Sequence, residues 1–354
     1  MDKRVSVIIP CYNVEKYIDR CLNSITHQTI GMDGIEIICV DDCSTDNTVL
    51  RLKEWEKLYP DNLIVVLSEQ NGRQGRARNI GLEYASAEWI SYIDSDDWVD
   101  DNYFEMLFEA VTDDDYEIVG CGHIRDDGTG CKNIYEKETE RESEEICENL
   151  KGKNIICIDS EEKRRRAIML APIKYNAWAK IISKDFILKY NLFFPENLTY
   201  EDAFWGSILH FYIKKACILN VNMYHYYVND SSTVLTKNSN HHLDCITCQS
   251  MLWDEYFKRN LYEKYKYEIE IEHLYSCFLA GLKAAIYRYE KPDYNYYLLL
   301  RQLVKQRIPC YCDNPYVFSG AFKEIHLLML KSLDNVLSRD EFNSFVQNIK
   351  TIGI

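Results

Sequence analysis

The sequence predicts an α/β fold on a mostly parallel sheet, with a helical C-terminal region. Three observations carry this prediction. Short apolar runs alternate with segments of helical periodicity between residues 1 and 125. The first run, Val5–Ile9, is apolar apart from Ser6, as a strand covered on both faces must be. From residue 240 onward, apolar residues recur at three- and four-residue steps, the period of a helix face. A β-α-β-α rhythm needs crossover connections, and these make a parallel sheet.

The elements follow in order. Val5–Ile9 is the first strand and ends at Pro10. Asn13 is placed to cap a helix with Tyr17, Ile18, Cys21, Leu22 and Ile25 on one face. Ile35–Val40 is the second strand, and Ser44-Thr45-Asp46-Asn47 offers caps for a helix through Leu58. Leu63–Leu67, a helix over 75–86, strand Trp89–Ile93 and a helix starting near Asp101 complete this part. Residues 126–160 are less regular. Within them, Glu136 to Glu148 holds seven Glu against one Lys and one Arg, which reads as a solvated segment. Helices are expected at Glu161–Leu170, around Lys184–Tyr190 and from Asp202 through His210, with one or two strands over 217–228. Ile271, Leu274, Tyr275, Phe278, Leu279, Leu282 and Ile286 mark one buried helix face in the tail. This divides the chain into 1–236, itself split at 125/126, and a helical region 237–354. No Gly/Ser linker separates the two.

Composition narrows the function. Of 354 residues, 56 are acidic and 41 basic, a net charge of −15. Residues 237–354 hold 15 Lys/Arg and 14 Asp/Glu, so the first 236 residues carry −16. Such a balance argues against nucleic acid or an anionic bilayer as the main partner. A small anionic ligand would need help from a local cation. The apolar run after Met1 is too short for a secretion signal, and no stretch reaches about 18 apolar residues. The expected location is the cytoplasm, where the 14 scattered cysteines would stay reduced. Cys245 and Cys248 have a zinc-like spacing that equally fits one helix face, and Asn229-Asp230-Ser231 matches a glycosylation sequon that a cytosolic chain would not use.

Four segments carry chemistry. Asp94-Ser95-Asp96-Asp97 follows an apolar strand directly, and in extended backbone Asp94 and Asp96 point the same way. Two carboxylates so close repel unless a cation lies between them, and Mg²⁺ or Mn²⁺ with phosphate oxygens is the natural solution. The same tetrapeptide could also be a polar turn capping a helix. Asp41-Asp42-Cys43-Ser44 ends the second strand, where a carboxylate can accept from a base N–H or cap a helix. Asn71 to Asn79 carries two glycines and three arginines at 73, 76 and 78 around a helix start, suited to phosphate or to solvent. Glu201-Asp202 precedes an aromatic helix, where a positioned carboxylate can serve as a general base or Asp202 can cap the helix. Three of the four fall at strand ends within the first hundred residues.

These motifs, with Val5-Ser6-Val7-Ile8-Ile9-Pro10-Cys11-Tyr12-Asn13 and Gly75-Arg76-Ala77-Arg78-Asn79, resemble the family 2 glycosyltransferases of GT-A fold. The resemblance is strong over residues 4–112. It runs on through Trp178-Ala179-Lys180, Phe194-Pro195-Glu196 and Glu201-Asp202 to Tyr224–Thr233. Cys11 stands where the family often has a small or polar residue. The resemblance implies an inverting, metal-dependent, hexosyltransferase-type enzyme of surface polysaccharide synthesis, working at the inner face of the membrane. Its donor would be a nucleotide sugar, with UDP the expected carrier and guanine or thymine nucleotides left open. It would place Pro10, Tyr12, Asn13 and Asp42 around the base, with Tyr12 stacking and Asp42 accepting the imide N–H. Arg78 or Arg76 would meet the diphosphate. Asp94 and Ser95 would lie by the ribose or metal shell, with Asp96 the main contact to Mn²⁺ or Mg²⁺ in a DXD motif. Asp202 would be the catalytic base, and Trp178 and Glu201 would line the site of a glycan or lipid-linked acceptor. The tyrosine-rich tail is a candidate contact for a second copy or a membrane edge. The competing reading is a non-catalytic nucleotide-sugar-binding or scaffold member of an assembly complex. A dinucleotide-dependent dehydrogenase would need G-x-G-x-x-G after the first strand, where Pro10-Cys11-Tyr12-Asn13 stands.

Overall fold

The computed structural model describes residues 3–112, 114–126, 146–150, 152–228 and 236–352. The sequon and all but the end of the Glu-rich segment lie outside these residues. The chain forms two compact units, Met1–Asn229 and Asp230–Ile354.

The first unit is built on one sheet, ten-stranded among the described residues. Its strands are β1 (Val5–Cys11), β2 (Ile35–Asp41), β3 (Leu63–Leu67), β4 (Trp89–Tyr92), β5 (Trp98–Val99), β6 (Ile118–Asp126), β7 (Cys147–Leu150), β8 (Lys153–Cys157), β9 (Lys180–Ser183) and β10 (Lys215–Tyr227). They lie in the order β3-β2-β1-β4-β9-β6-β10-β8-β7, with β5 paired to β10. The four strands β3, β2, β1 and β4 are parallel to one another. β9 then runs antiparallel to both β4 and β6, while β6 and β10 are parallel.

Burial explains this arrangement. All seven β1 residues are buried, which suits a strand covered on both faces. One cover is α1 (Ile18–Thr26), whose Ile18, Cys21, Leu22 and Ile25 are fully buried. Two further helices are α2 (Thr48–Leu58) and α3 (Arg73–Tyr84). α3 lies so close to β1 that a Cβ on Gly81 would come within 2.4 Å of Ile8 Cγ2. α4 (Tyr103–Val111) adds Phe104 and Leu107 to the same core. The later helices are α5 (Glu161–Leu170), α6 (Lys184–Lys189) and α7 (Glu201–Leu209).

Three features differ from the sequence reading. Asn13 is not a helix cap. It sits at φ +54°, its N–H donates to Ser44 Oγ (2.9 Å), and its Oδ1 accepts from Thr45 N (2.7 Å). It therefore ties the loop after β1 to the loop after β2, and α1 begins five residues later. Residues 147–150 and 153–157, read as irregular, pair as antiparallel strands β7 and β8. β6 and β9 are strands that the sequence reading lacks: each has only two adjacent aliphatic residues at its buried end or centre, Ile118-Val119 and Ile181-Ile182, and its pairing is settled by neighbours distant in sequence.

The second unit is helical throughout its described residues. Its principal helices are α8 (Asp244–Lys258), α9 (Tyr262–His273), α10 (Ala280–Tyr287), α11 (Tyr294–Arg307), α12 (Glu324–Leu330) and α13 (Arg339–Ile352). α9 is buried on several sides, and its Glu268, Glu270 and Glu272 accept from Tyr316 Oη (2.9 Å), Asn314 Nδ2 (2.9 Å) and Tyr256 Oη (3.2 Å). Those donors make burial of the acids tolerable. Among the described residues no helix is long and apolar enough to cross a membrane.

Candidate active site

Parallel strands deliver their carboxyl ends to one edge. The β1–β2 register pairs Cys11 with Asp41, and the β1–β4 register pairs Ile8 with Tyr92. Tyr12, Asp42 and Asp94 thus emerge from neighbouring strand ends. Because β9 is antiparallel to β4, its start, preceded by Trp178, reaches the same edge.

The base side comes first. Pro10 is buried in β1, and Tyr12 just beyond it is 51% exposed. An exposed ring at a strand end can stack on a planar ligand. Asp42, expected at a nucleotide base, is only 2% exposed. Its carboxylate accepts from Gly72 N (2.9 and 3.1 Å) and Arg73 N (2.7 Å), and its carbonyl accepts from Asn71 Nδ2 (2.8 Å). Asp42 therefore fixes the turn that begins α3, where Arg73 adopts φ +64°.

α3 carries the arginines, and the structure separates their duties. Arg78, expected at a diphosphate, is 2% exposed. Its guanidinium is divided between Asp94 (2.8 Å) and Glu201 (2.5 Å). Glu201, expected on the acceptor side, is 4% exposed and serves as that partner. Arg76 is half-buried and folds over Gly72, while Arg73 is exposed. Of the three arginines in this segment, Arg78 is the one tied up in buried ion pairs.

The acidic turn after β4 is held from several sides. Asp94 N donates to Tyr224 Oη (3.2 Å), and that hydroxyl donates to Asp97 (2.6 Å). Tyr227 N donates to the other oxygen of Asp97 (2.7 Å). Arg20 donates to the Asp96 carbonyl (2.8 Å) and lies over Trp98 (3.7 Å) and Tyr227 (4.5 Å). Ser95 is buried in this turn. Burial pushes the Asp97 carboxyl well up, and the charges of Asp96 and Asp94 push it further. That repulsion records a concentration of negative charge. Among the described residues, no three His, Cys, Asp or Glu side chains are grouped to hold a metal unaided. A hard divalent ion here would need oxygens from a bound ligand to complete its shell.

Asp202 stands beside this cluster on α7. Tyr200, at φ +67°, turns the chain into that helix. The Asp202 carboxyl is pushed up to about 7, by burial first and then by the charge of Glu201, while Arg78 draws it down. Its Oδ1 accepts from Ala203 N (2.8 Å). A carboxyl near 7 is tuned for proton transfer at neutral pH. The approach to α7 is locked onto α3. A Cβ on Gly75 would lie 2.2 Å from Pro195 O, and Asn79 exchanges bonds of 2.9 and 3.0 Å with the Phe194 backbone.

Trp178 forms the far wall. It stacks on Tyr224 (4.7 Å, 15°) and Tyr226 (5.5 Å, 18°), with His123 edge-on at 4.9 Å. Tyr224 so links the aromatic wall to the acidic turn. Sequence reasoning gave Tyr224, Arg20 and Lys180 no role. No local signal marks the first two, because their partners lie 76 to 130 residues away. A lysine opening an otherwise apolar strand was a visible signal for Lys180.

Comparison with known proteins fits this geometry. Residues 6–160 match the family model described as glycosyl transferase family 2. EpsH of Bacillus subtilis (strain 168) is 30% identical over 233 residues, 65% of this chain and 62% of EpsH. The minor teichoic acid biosynthesis protein GgaB of the same strain is 42% identical over 113 residues, 32% of this chain and 12% of GgaB. The chain thus spans less than two thirds of the length of either relative. Residues 1–349 of S. aureus TarS superpose with a TM-score of 0.67 at 18% identity, covering 98% of this chain and 90% of that one. TarS 1–349 has also been solved in complex with UDP-GlcNAc. By its match over residues 6–160 and by its architecture, this chain carries a segment similar to glycosyl transferase family 2 and has the GT-A fold.

Proposed function

We propose that the chain is an inverting glycosyltransferase. It would move a sugar from a nucleotide-sugar donor to a hydroxyl of a glycan or lipid-linked acceptor in the synthesis of a cell-surface polymer. The observation that carries this is Asp202: a carboxyl held near 7 beside the Arg78–Asp94–Glu201 cluster. UDP is the first candidate carrier because TarS, of the same fold, binds UDP-GlcNAc. A surface polymer is the favoured product because GgaB is named for teichoic acid synthesis.

In this reading Tyr12 stacks on the base, and Asp42 holds the turn that presents Arg73 and Arg76 to the diphosphate. Asp96 and Asp94 are the residues that would hold a Mn²⁺ or Mg²⁺ ion. Such an ion would neutralise charge building on the leaving diphosphate. Arg78 keeps Asp94 oriented while its own charge stays sheltered. Asp202 takes the proton of the acceptor hydroxyl as that oxygen attacks the anomeric carbon opposite the leaving group. One displacement inverts the configuration. Trp178 offers a flat apolar wall to the acceptor.

The test is a donor screen: thermal unfolding with a panel of nucleotide sugars, with and without Mn²⁺, then an assay for nucleotide release. At least one donor should raise the midpoint and be turned over with acceptor. Binding without turnover under any acceptor would favour the non-catalytic reading, and no binding would sink both.

A further inference from the structure

We propose that Tyr224 is a positioning residue that couples the two sides of the site: the seating of Trp178 on its ring sets how well the acidic turn holds the donor. The inference deepens the reading above and rests on it. Tyr224 is fully buried, so it acts through its neighbours and not on a ligand directly.

The strand that carries Tyr224 is irregular just before it. β10 keeps an even register with β6 from Ala216 to Leu219, slips between Leu219 and Asn222, and slips again between Asn222 and Tyr224. Such bulges re-aim the side chains beside them. Gly122 of β6 makes room for them, because a Cβ there would run into the Asn222 side chain. Beyond the slips Tyr224 pairs with His123 of β6 and with Val99 of β5, the two-residue strand that follows the acidic turn. β10 therefore meets the end of the turn directly.

The hydroxyl ties the turn end to end. Asp97 N donates to Asp94 O (3.0 Å), which closes the turn on itself. The Tyr224 hydroxyl joins the same two residues again, accepting from Asp94 N (3.2 Å) and donating to Asp97 (2.6 Å). Its direction is set, since a backbone N–H can only donate and a phenol has one proton to give. Asp94, so held, is also the residue whose carboxylate meets Arg78 (2.8 Å). The ring carries Trp178, stacked on it at 4.7 Å and 15°. Trp178 is placed by its own loop: Asn176 Nδ2 donates to the Trp178 carbonyl (2.8 Å), and the buried Lys180 ammonium donates to the carbonyls of Lys174 (3.1 Å) and Asn176. A phenol is rigid from ring to oxygen, so a shift of the stacked ring is delivered to the first and last residues of the turn. Two other ties to β10 do not use the hydroxyl: Asp100 N donates to Met223 O (2.9 Å), and Tyr227 N donates to Asp97 (2.7 Å). Loss of the hydroxyl alone thus loosens the turn and leaves it in place.

The test is calorimetry on the full chain with UDP, GDP and dTDP, Mn²⁺ in the buffer, and the tightest of the three as the probe. Tyr224→Phe should weaken the probe about tenfold, the scale of one hydrogen bond to a carboxylate. Trp178→Leu, which removes the stacked ring on the acceptor side, should weaken it about threefold, within the range of coupling between touching residues. The double variant should bind no more weakly than Tyr224→Phe alone, because the effect of the Trp178 ring travels through the hydroxyl. A tyrosine that only supports the fold would lower the unfolding midpoint in Tyr224→Phe and leave the affinity of the folded chain unaltered. That result, wild-type affinity in Trp178→Leu, or single losses that multiply in the double variant would each overturn the coupling. If Tyr224→Phe does not fold, Trp178→Phe decides with Trp178→Leu. It restores a flat ring and should recover the wild-type affinity, and a variant as weak as Trp178→Leu would overturn the coupling. Binding by the wild-type chain separates the two readings. If none of the three nucleotides binds, the nucleotide-sugar reading fails and the coupling with it, while wild-type binding that neither single variant alters removes only the coupling.

Discussion

Arg78→Met tests the centre of the site. The guanidinium reaches Asp94 at 2.8 Å and Glu201 at 2.5 Å, and its side chain is only 3% exposed. Glu201 is equally sheltered at 5%, while Asp94 keeps 19%. Removing the cation leaves a buried carboxylate with no counter-charge. Breaking a buried pair in this way costs about 3–5 kcal/mol, against about 0–1 kcal/mol for an exposed pair. The depth of burial places Arg78 in the first class. Urea unfolding followed by tryptophan fluorescence reads the right unit, since five of the six tryptophans lie within residues 1–229. Adding Glu201→Gln should recover at least about 1 kcal/mol, because the stranded charge is then gone. Arg78 also draws the Asp202 carboxyl down, so the single variant should move that carboxyl upward. A loss below about 1 kcal/mol, or no recovery in the double variant, would refute the account of Arg78 as the structural tie of the site.

Other predictions follow from the same geometry. Asp202→Asn should retain donor binding and lose about 10²–10⁴-fold in transfer, checked by calorimetry and nucleotide release. Because burial raises that carboxyl from 3.8 to about 7, its base form dominates only above neutrality, so transfer should rise as pH increases through about 7. The folding sign is opposite: the native state holds the extra proton between 3.8 and 7, and stability falls as pH rises through that window. A flat rate profile between pH 6 and 8 would exclude Asp202 as the titrating base. Asp96→Ala should weaken donor binding in Mn²⁺ and leave metal-free binding nearly unaltered, and equal affinities by calorimetry would remove Asp96 from the metal role. Gly75→Ala forces a Cβ to 2.2 Å from the Pro195 carbonyl, a backbone atom that cannot swing aside. It should lower the unfolding midpoint by an amount equivalent to about 1–3 kcal/mol, in line with overpacking.

Much of this protein is written locally in the chain. The runs at 5–11, 35–41 and 89–92 are strands because apolar residues there must be covered on both faces, while 63–67 is an edge strand with Ile64 and Leu67 exposed. The tail is helical because its apolar residues keep the helix period. Once those strands are parallel, Tyr12, Asp42 and Asp94 must share an edge, so their grouping follows from sequence order. What each side chain does at that edge was decided elsewhere. Arg78 reads as a phosphate ligand beside Arg76 until Glu201, 123 residues away, buries against it. Asp42 reads as a ligand carboxylate until the backbone of Gly72 and Arg73 takes it up. Asp97 receives Tyr224 from 127 residues on, and β9 enters antiparallel between β4 and β6. The sequence alone determined the first four strands, the helical tail and the order of the site, because periodicity and chain direction are local properties. Only the tertiary structure decided which charges are desolvated and with which partner, because that depends on surfaces that meet after the chain has folded.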